Sequence, residues 1–200
     1  MQILKEEVKL EILKASKELF LQEGFRGATL NMIAQKAKIS KSNLYNYFPS
    51  KEEIFYYLTD GANVQIESMF NTILEHESDE AFNPEEFIEL MSNQLIELLT
   101  NYKEEVLLVV DCSEGTKFQN TKDAIIDRLQ EHCLNEFKKF NIIMENSDHF
   151  FVHYISASLV EGLLEIIRHN KSDSWIKSNI KLLIGYFING YSYFFKDSWH

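Results

Sequence analysis

Between Gly24 and Lys51 the chain carries five cations, Arg26, Lys36, Lys38, Lys41 and Lys51, and no acidic residue. Interleaved with them stand hydrogen-bonding side chains: Thr29, Ser42, Asn43, Tyr45, Asn46 and Tyr47. Cations meet phosphates, Asn can bond an adenine edge bidentately, and Tyr offers a hydroxyl to phosphate and a ring to sugar or a thymine methyl. The chemistry implied is recognition of a duplex. Residues 1–51 hold nine Lys/Arg and five Asp/Glu, a balance of +4, while the remainder stands at −15. The overall net charge of −11 argues against a general nucleic-acid or anionic-membrane binder. It confines duplex contact to the N-terminal head and leaves the acidic remainder to repel the phosphate backbone.

These residues need short, well-defined helices to present them. Thr29 and Ser40 have the side-chain oxygen that caps a helix N-terminus, so the spacing predicts helices over about 30–37 and 41–48. Leu30, Ile33, Ala34, Ala37, Ile39, Leu44 and Phe48 give the two a shared core, as in a helix-turn-helix whose second helix enters the major groove. A first helix over about 5–23 places Val8, Ile12, Ala15 and Leu19 at helical spacing to cover that pair, with Gly24 just past its end. Pro49 stops the second helix. Ser50 and Glu53 then form a capping box that opens a long helix to about Glu77.

Gly24-Phe25, Thr29, Ile33-Ala34, Ala37, Ile39-Ser40, Leu44-Tyr45-Asn46-Tyr47-Phe48 and Ser50-Lys51-Glu52-Glu53 together resemble the DNA-binding domain of the TetR/AcrR family of bacterial repressors. The resemblance covers some 45 residues in register. It implies that Thr29, Lys41, Ser42, Asn43, Tyr45, Asn46, Tyr47 and Lys51 meet DNA. Thr29 and Lys51 also lie at helix N-termini, where backbone N–H groups favour phosphate. One departure concerns the turn. The family commonly has Gly where this chain has Lys38, and a non-Gly residue there needs a left-handed backbone at a cost of roughly 1–2 kcal/mol.

The remainder reads as helical throughout. Only seven glycines and two prolines interrupt 200 residues, and a hydrophobic fraction of 45% suffices for a substantial core. Asn83-Pro84-Glu85-Glu86 is a helix start, with Asn as cap, Pro at the first position and acid in the first turn. A break near Tyr102 separates that helix from a shorter one to Asp111, where a strand would have nothing to pair with. Further helices span about 120–144, 148–169 and 174–195. The last two are apolar around much of their circumference, with Ala157, Gly162, Gly185 and Gly190 as small residues. A helix apolar on more than one face must bury more than one face. Either a second copy covers them in a four-helix bundle, or they are the central helices of one chain. In the resembled family the final two helices dimerise, which implies a homodimer through about 148–195.

No catalytic constellation is present: no glycine-rich phosphate loop, nucleophile elbow or HExxH. His149 and His153 are i,i+4 neighbours without a third ligand at a matching offset, so no metal is expected. Cys112 and Cys133 read as small core hydrophobes rather than a disulfide. No stretch reaches transmembrane length by this reading, no membrane partner is expected, and the location is cytoplasmic.

The expectation is therefore an all-α, non-enzymatic chain of about nine helices that needs no cofactor. Residues 1–50 form a three-helix DNA-binding head, and residues 51–200 an effector-binding and dimerisation body. The family resemblance implies a repressor that holds a palindromic operator, double-stranded DNA, as a dimer and is released by a small apolar or aromatic effector. The aromatic and Met content of the body suits a pocket, with Phe70, Phe87, Met91, Phe118, Phe137 and Tyr154 as candidate lining. The competing reading is an all-helical protein-interaction module whose head no longer binds DNA.

Overall fold

The computed structural model describes residues 2–74, 83–139, 149–169 and 171–193. Among these residues there are eight helices and no strand: α1 (Gln2–Gly27), α2 (Leu30–Lys36), α3 (Lys41–Tyr45), α4 (Lys51–Leu74), α5 (Pro84–Asp111), α6 (Thr121–Lys139), α7 (Phe150–Arg168) and α8 (Asp173–Ser192). The all-α expectation holds, with one correction to the count. The break expected near Tyr102 is a kink inside α5, where Tyr102 takes φ −136° and ψ 25° and the helix resumes. The expected ends near Glu77, Met144 and Phe195 and the start at Asp148 lie outside the described residues.

The chain forms two compact units. Unit 1 comprises Met1–Gln65 and Glu104–Thr121; unit 2 comprises Ile66–Lys103 and Lys122–His200. The divisions fall within α4 and α5 and at the start of α6.

Unit 1 is organised by backbone chemistry at its helix ends. Gly24 interrupts α1 at φ 68° and ψ 167°, a conformation essentially restricted to glycine. The interruption sends Phe25 into the core, where it is 4% exposed and its N–H donates to the Cys112 carbonyl at 2.8 Å. Phe20, Phe25 and Phe55 pack as a three-ring cluster with centroids 5.1–5.8 Å apart. Tyr56 and Phe118 extend it edge to face at 5.8 Å. Around the rings lie the predicted apolar positions Ile12, Ala15, Leu19, Ile33, Ala34, Leu44 and Phe48, all buried.

Unit 2 is more uniformly aliphatic. Met91, Leu95, Leu98 and Leu99 of α5 are buried, as are Val152, Val160, Leu164, Ile166 and Ile167 of α7 and Ile176, Ile180, Ile184 and Ile188 of α8. Gly162 allows α7 to approach α8: a Cβ there would lie 3.1 Å from Leu183 Cδ1. One sequence reading needs correction. By length and composition α7 is apolar enough to cross a membrane. It carries Glu161 and Glu165, however, which bind Lys122 and Arg168 at 2.8–3.1 Å, and its aliphatic side packs inward.

Candidate nucleic-acid interface

The helix-turn-helix is built at each of its ends. Thr29 Oγ1 accepts from the Met32 N–H at 3.2 Å and Ser40 Oγ from the Asn43 N–H at 3.1 Å, so both expected caps form. Between them α2 closes in a Schellman motif: the Ile39 N–H donates to the Ala34 carbonyl and the Lys38 N–H to the Gln35 carbonyl. That closure requires a left-handed residue, and Lys38 supplies it at φ 56°. The family's Gly position is thus occupied by a lysine in the conformation Gly would have adopted.

α3 spans only Lys41–Tyr45, shorter than the 41–48 expected, and buries Leu44 alone. Lys41, Ser42, Tyr45 and Asn46 are exposed, while Asn43 and Tyr47 are half-buried. The polar groups are ordered among themselves. Ser42 Oγ lies 3.0 Å from the Ser40 hydroxyl, and Asn46 Nδ2 donates to Asn43 Oδ1 at 3.4 Å. Tyr45 leaves 47% of its surface in solvent. The outward face therefore offers one ammonium, two hydroxyl-bearing side chains and a pair of amides. Thr29 is also exposed, with its oxygen committed to the cap.

Lys51 is placed differently from the others. Its ammonium donates to the carbonyls of Phe25 at 2.6 Å and Ala28 at 2.7 Å and lies 4.2 Å over the Phe25 ring. Burial lowers its pKa from the ordinary value, with the Glu52 carboxylate opposing. This cation closes the loop between α1 and α2 from within. Two more of the five cations are also engaged: Lys36 pairs with Glu18 at 2.8 Å and Arg26 with Glu114 at 2.5 Å. Lys38 and Lys41 have no carboxylate partner among the described residues.

The charge contrast read along the sequence changes once the fold is known. The segment Glu104–Thr121 belongs to unit 1, and it supplies Glu114 to Arg26 and Glu104 and Glu105 to Lys17, the latter at 2.6 and 3.2 Å. Unit 1 as a whole holds ten basic and twelve acidic side chains, a balance of −2. The excess of positive charge is therefore local to the helix-turn-helix and not a property of the unit. Sequence reasoning missed this segment because its contacts span 88 residues and no local pattern announces them.

Residues 12–58 match the family model described as bacterial regulatory proteins, tetR family. The N-terminal segment is thus similar to the tetR-family DNA-binding domain. The HTH-type transcriptional regulator RutR of Escherichia coli K12 is 49% identical over 47 residues, which span 24% of this chain and 22% of that protein. A TetR-family member from Streptomyces coelicolor A3 shares the fold with a TM-score of 0.60 at 16% identity, over 90% of each chain. AibR, solved with isovaleryl coenzyme A and operator DNA, does so at 0.53 and 18%, over 85% of this chain and 94% of its own. At these identities the structures establish the fold, and the TetR-family sequence match rests on the head.

The candidate effector residues do not form one group. In unit 2 Phe70, Met91 and Phe137 are buried and Phe87 is half-buried, whereas Tyr154 is 57% exposed. Phe118 lies in unit 1 against Tyr56. Arg128 covers the Phe70 ring at 4.6 Å while bound to Glu67 at 2.8 Å, and Phe137 stacks on Tyr191 at 5.5 Å. A groove of about 300 Å³ runs along α6 beside Asp127, Gln130, Glu131, Leu134, Asn135 and Lys138, a polar lining. Cys133 is half-buried, and desolvation pushes its thiol up to about 11, so it stays protonated near neutrality. No cluster of three potential metal ligands occurs among the described residues.

Proposed function

We propose that the protein is a TetR-type transcriptional repressor that binds a palindromic operator as a homodimer in the cytoplasm and is released by a small-molecule effector. The reading rests on α3, a capped recognition helix whose outward face carries Lys41, Ser42, Tyr45 and Asn46, backed by Asn43 and Tyr47. DNA reading is assigned to residues 1–50, with Lys38 and Lys41 as phosphate contacts and Ser42, Asn43 and Asn46 as base readers. Thr29 contributes its helix N-terminus. Lys51 acts as a positioning residue, since its ammonium holds the loop that sets α2.

Dimerisation and effector binding are assigned to residues 51–200. Dimerisation is supported by an apolar stripe on α8: Leu182 is 71% exposed, Tyr186 76% and Tyr193 66%, with Gly185 and Gly190 opening onto free space between them. These positions recur every three to four residues, the spacing of one helix face. An effector is supported by the acyl thioester bound to AibR. In this chain the apolar side of such a ligand would lie among Phe70, Phe87, Met91 and Phe137. Induction is then a population shift, and release by about 100-fold requires roughly 2.7 kcal/mol of coupling.

Selection of bound duplexes from a random-sequence pool, followed by sedimentation of the complex, tests the reading. Enrichment of an inverted repeat bound by two chains is expected. Failure to enrich any sequence would leave the head as a protein-interaction module.

A further inference from the structure

The head has fewer available cations than its sequence carries. Arg26, Lys36 and Lys51 are neutralised or engaged within the fold, which leaves Lys38 and Lys41 in the helix-turn-helix. A third candidate lies outside it. Lys9, on α1, holds its ammonium 4.2 Å over the ring of Tyr57 and 5.9 Å from that of Phe48. The two rings meet edge to face at 5.8 Å. Phe48 follows directly on the recognition segment Lys41–Tyr47, so Lys9 is fixed beside the end of the element that reads DNA.

Two properties taken together set this lysine apart. A carboxylate partner would cancel its charge, and none of the described residues supplies one. An aromatic face attracts the cation without cancelling it, at a strength of roughly 0.5–1 kcal/mol for an exposed site. Tyr57 is 56% exposed, so the ring presents the ammonium at the surface of unit 1 and does not bury it. The result is a positioned, uncompensated cation with restricted rotamers, which loses less entropy than a free lysine when it meets an anion.

We propose that Lys9 is a phosphate contact, held in place by Tyr57 and Phe48, that extends the duplex interface from the helix-turn-helix onto α1. The proposal rests on the DNA-binding reading above. Tyr57 is a positioning residue: its ring aims the ammonium.

The test uses the full chain and a duplex selected by the wild-type protein from a random-sequence pool. Lys9→Gln should reduce the magnitude of the slope of log K against log salt by about 1.8 per dimer, about 0.9 for each of two contacts. Base preference should not change, and Lys9→Arg should restore the slope. Lys177→Gln, an exposed lysine on α8, controls for the loss of one charge per chain. Tyr57→Ala should lose part of the slope and Tyr57→Phe should recover it. A wild-type slope in Lys9→Gln overturns the proposal while leaving DNA binding intact, even if that variant melts at a lower temperature. An unchanged slope in Tyr57→Ala overturns the positioning role of Tyr57. Failure of the wild-type protein to select any duplex removes the DNA reading and this proposal together.

Discussion

Unit 1 and the α7–α8 pair of unit 2 finish their surfaces in opposite ways. In unit 1 the largest rings, Phe20 and Phe55, are fully buried, and most charges near them find partners inside the same unit. On α8 the large apolar side chains Leu182 and Tyr186 lie outside, with nothing among the described residues to cover them. The head is thus complete in one copy, whereas under the homodimer proposed above the terminal helix is complete only in two. Dependence on protein concentration separates the two cases. A defect in the head should appear at any concentration, whereas a defect on α8 should appear through mass action.

The largest effect should come from Leu182→Glu with Tyr186→Glu. Burial contributes roughly 1.5–3 kcal/mol for each apolar side chain, and a two-fold axis counts each residue twice. Self-association should weaken by on the order of 6 kcal/mol or more, at least about 10⁴-fold. Sedimentation should then show monomer, and operator affinity should fall with it. If the variant sediments as the wild type does, the exposed stripe is not the interface and the contrast between the units fails.

Next in size is Phe55→Ala. The residue is fully buried among Phe20, Phe25 and Tyr56, and removal of a buried Phe costs about 3–5 kcal/mol. The thermal midpoint should fall equally at low and high protein concentration. A midpoint loss that dilution enlarges would show that head stability is tied to dimerisation after all.

Much of this comparison was legible in the residues, for reasons that are local. The caps at Thr29 and Ser40, the glycine at Gly24 and the left-handed turn at Lys38 depend on a few neighbouring residues, so their spacing was sufficient. Helical periodicity likewise marked Ile12, Leu19, Ile33 and Leu44 as core. The residues said least where partners are distant in sequence. Charge counted along the chain made the head basic, but Glu105 and Glu114 return to it from 88 residues away, and Glu104 with them. Motif position likewise says nothing about the Phe25 and Ala28 carbonyls that the Lys51 ammonium reaches. Aromatic content does not tell that Phe118 packs on Tyr56 or that Tyr154 is left exposed.

Lys51→Ala gives a smaller effect and tests whether cations of the head serve structure or DNA. Hydrogen bonds to a charged group contribute about 1.5–3 kcal/mol, so the variant should lose roughly 2 kcal/mol of stability, read as a lowered denaturation midpoint. Operator affinity should fall because α2 loses its anchor, with the salt slope little changed. A normal midpoint combined with a slope lowered by about 1.8 per dimer would instead return Lys51 to the set of phosphate contacts.

Lys38→Gly should produce the smallest change in stability, and in the opposite direction. Relief of the left-handed strain at φ 56° contributes roughly 1–2 kcal/mol, offset by the 0.5–1 kcal/mol that glycine's extra freedom in the unfolded chain costs. The net gain is on the order of 0.5–1 kcal/mol, which two-state denaturation can resolve. Glycine has no ammonium, so DNA affinity should fall while stability rises, with the salt slope reduced by about 0.9 for each head. That opposition identifies why a lysine occupies a position that glycine fits better: the strain is retained for the charge. If Lys38→Gly raises stability and leaves the salt slope untouched, Lys38 contributes nothing to the duplex interface, and the cations available there reduce to Lys41 and Lys9.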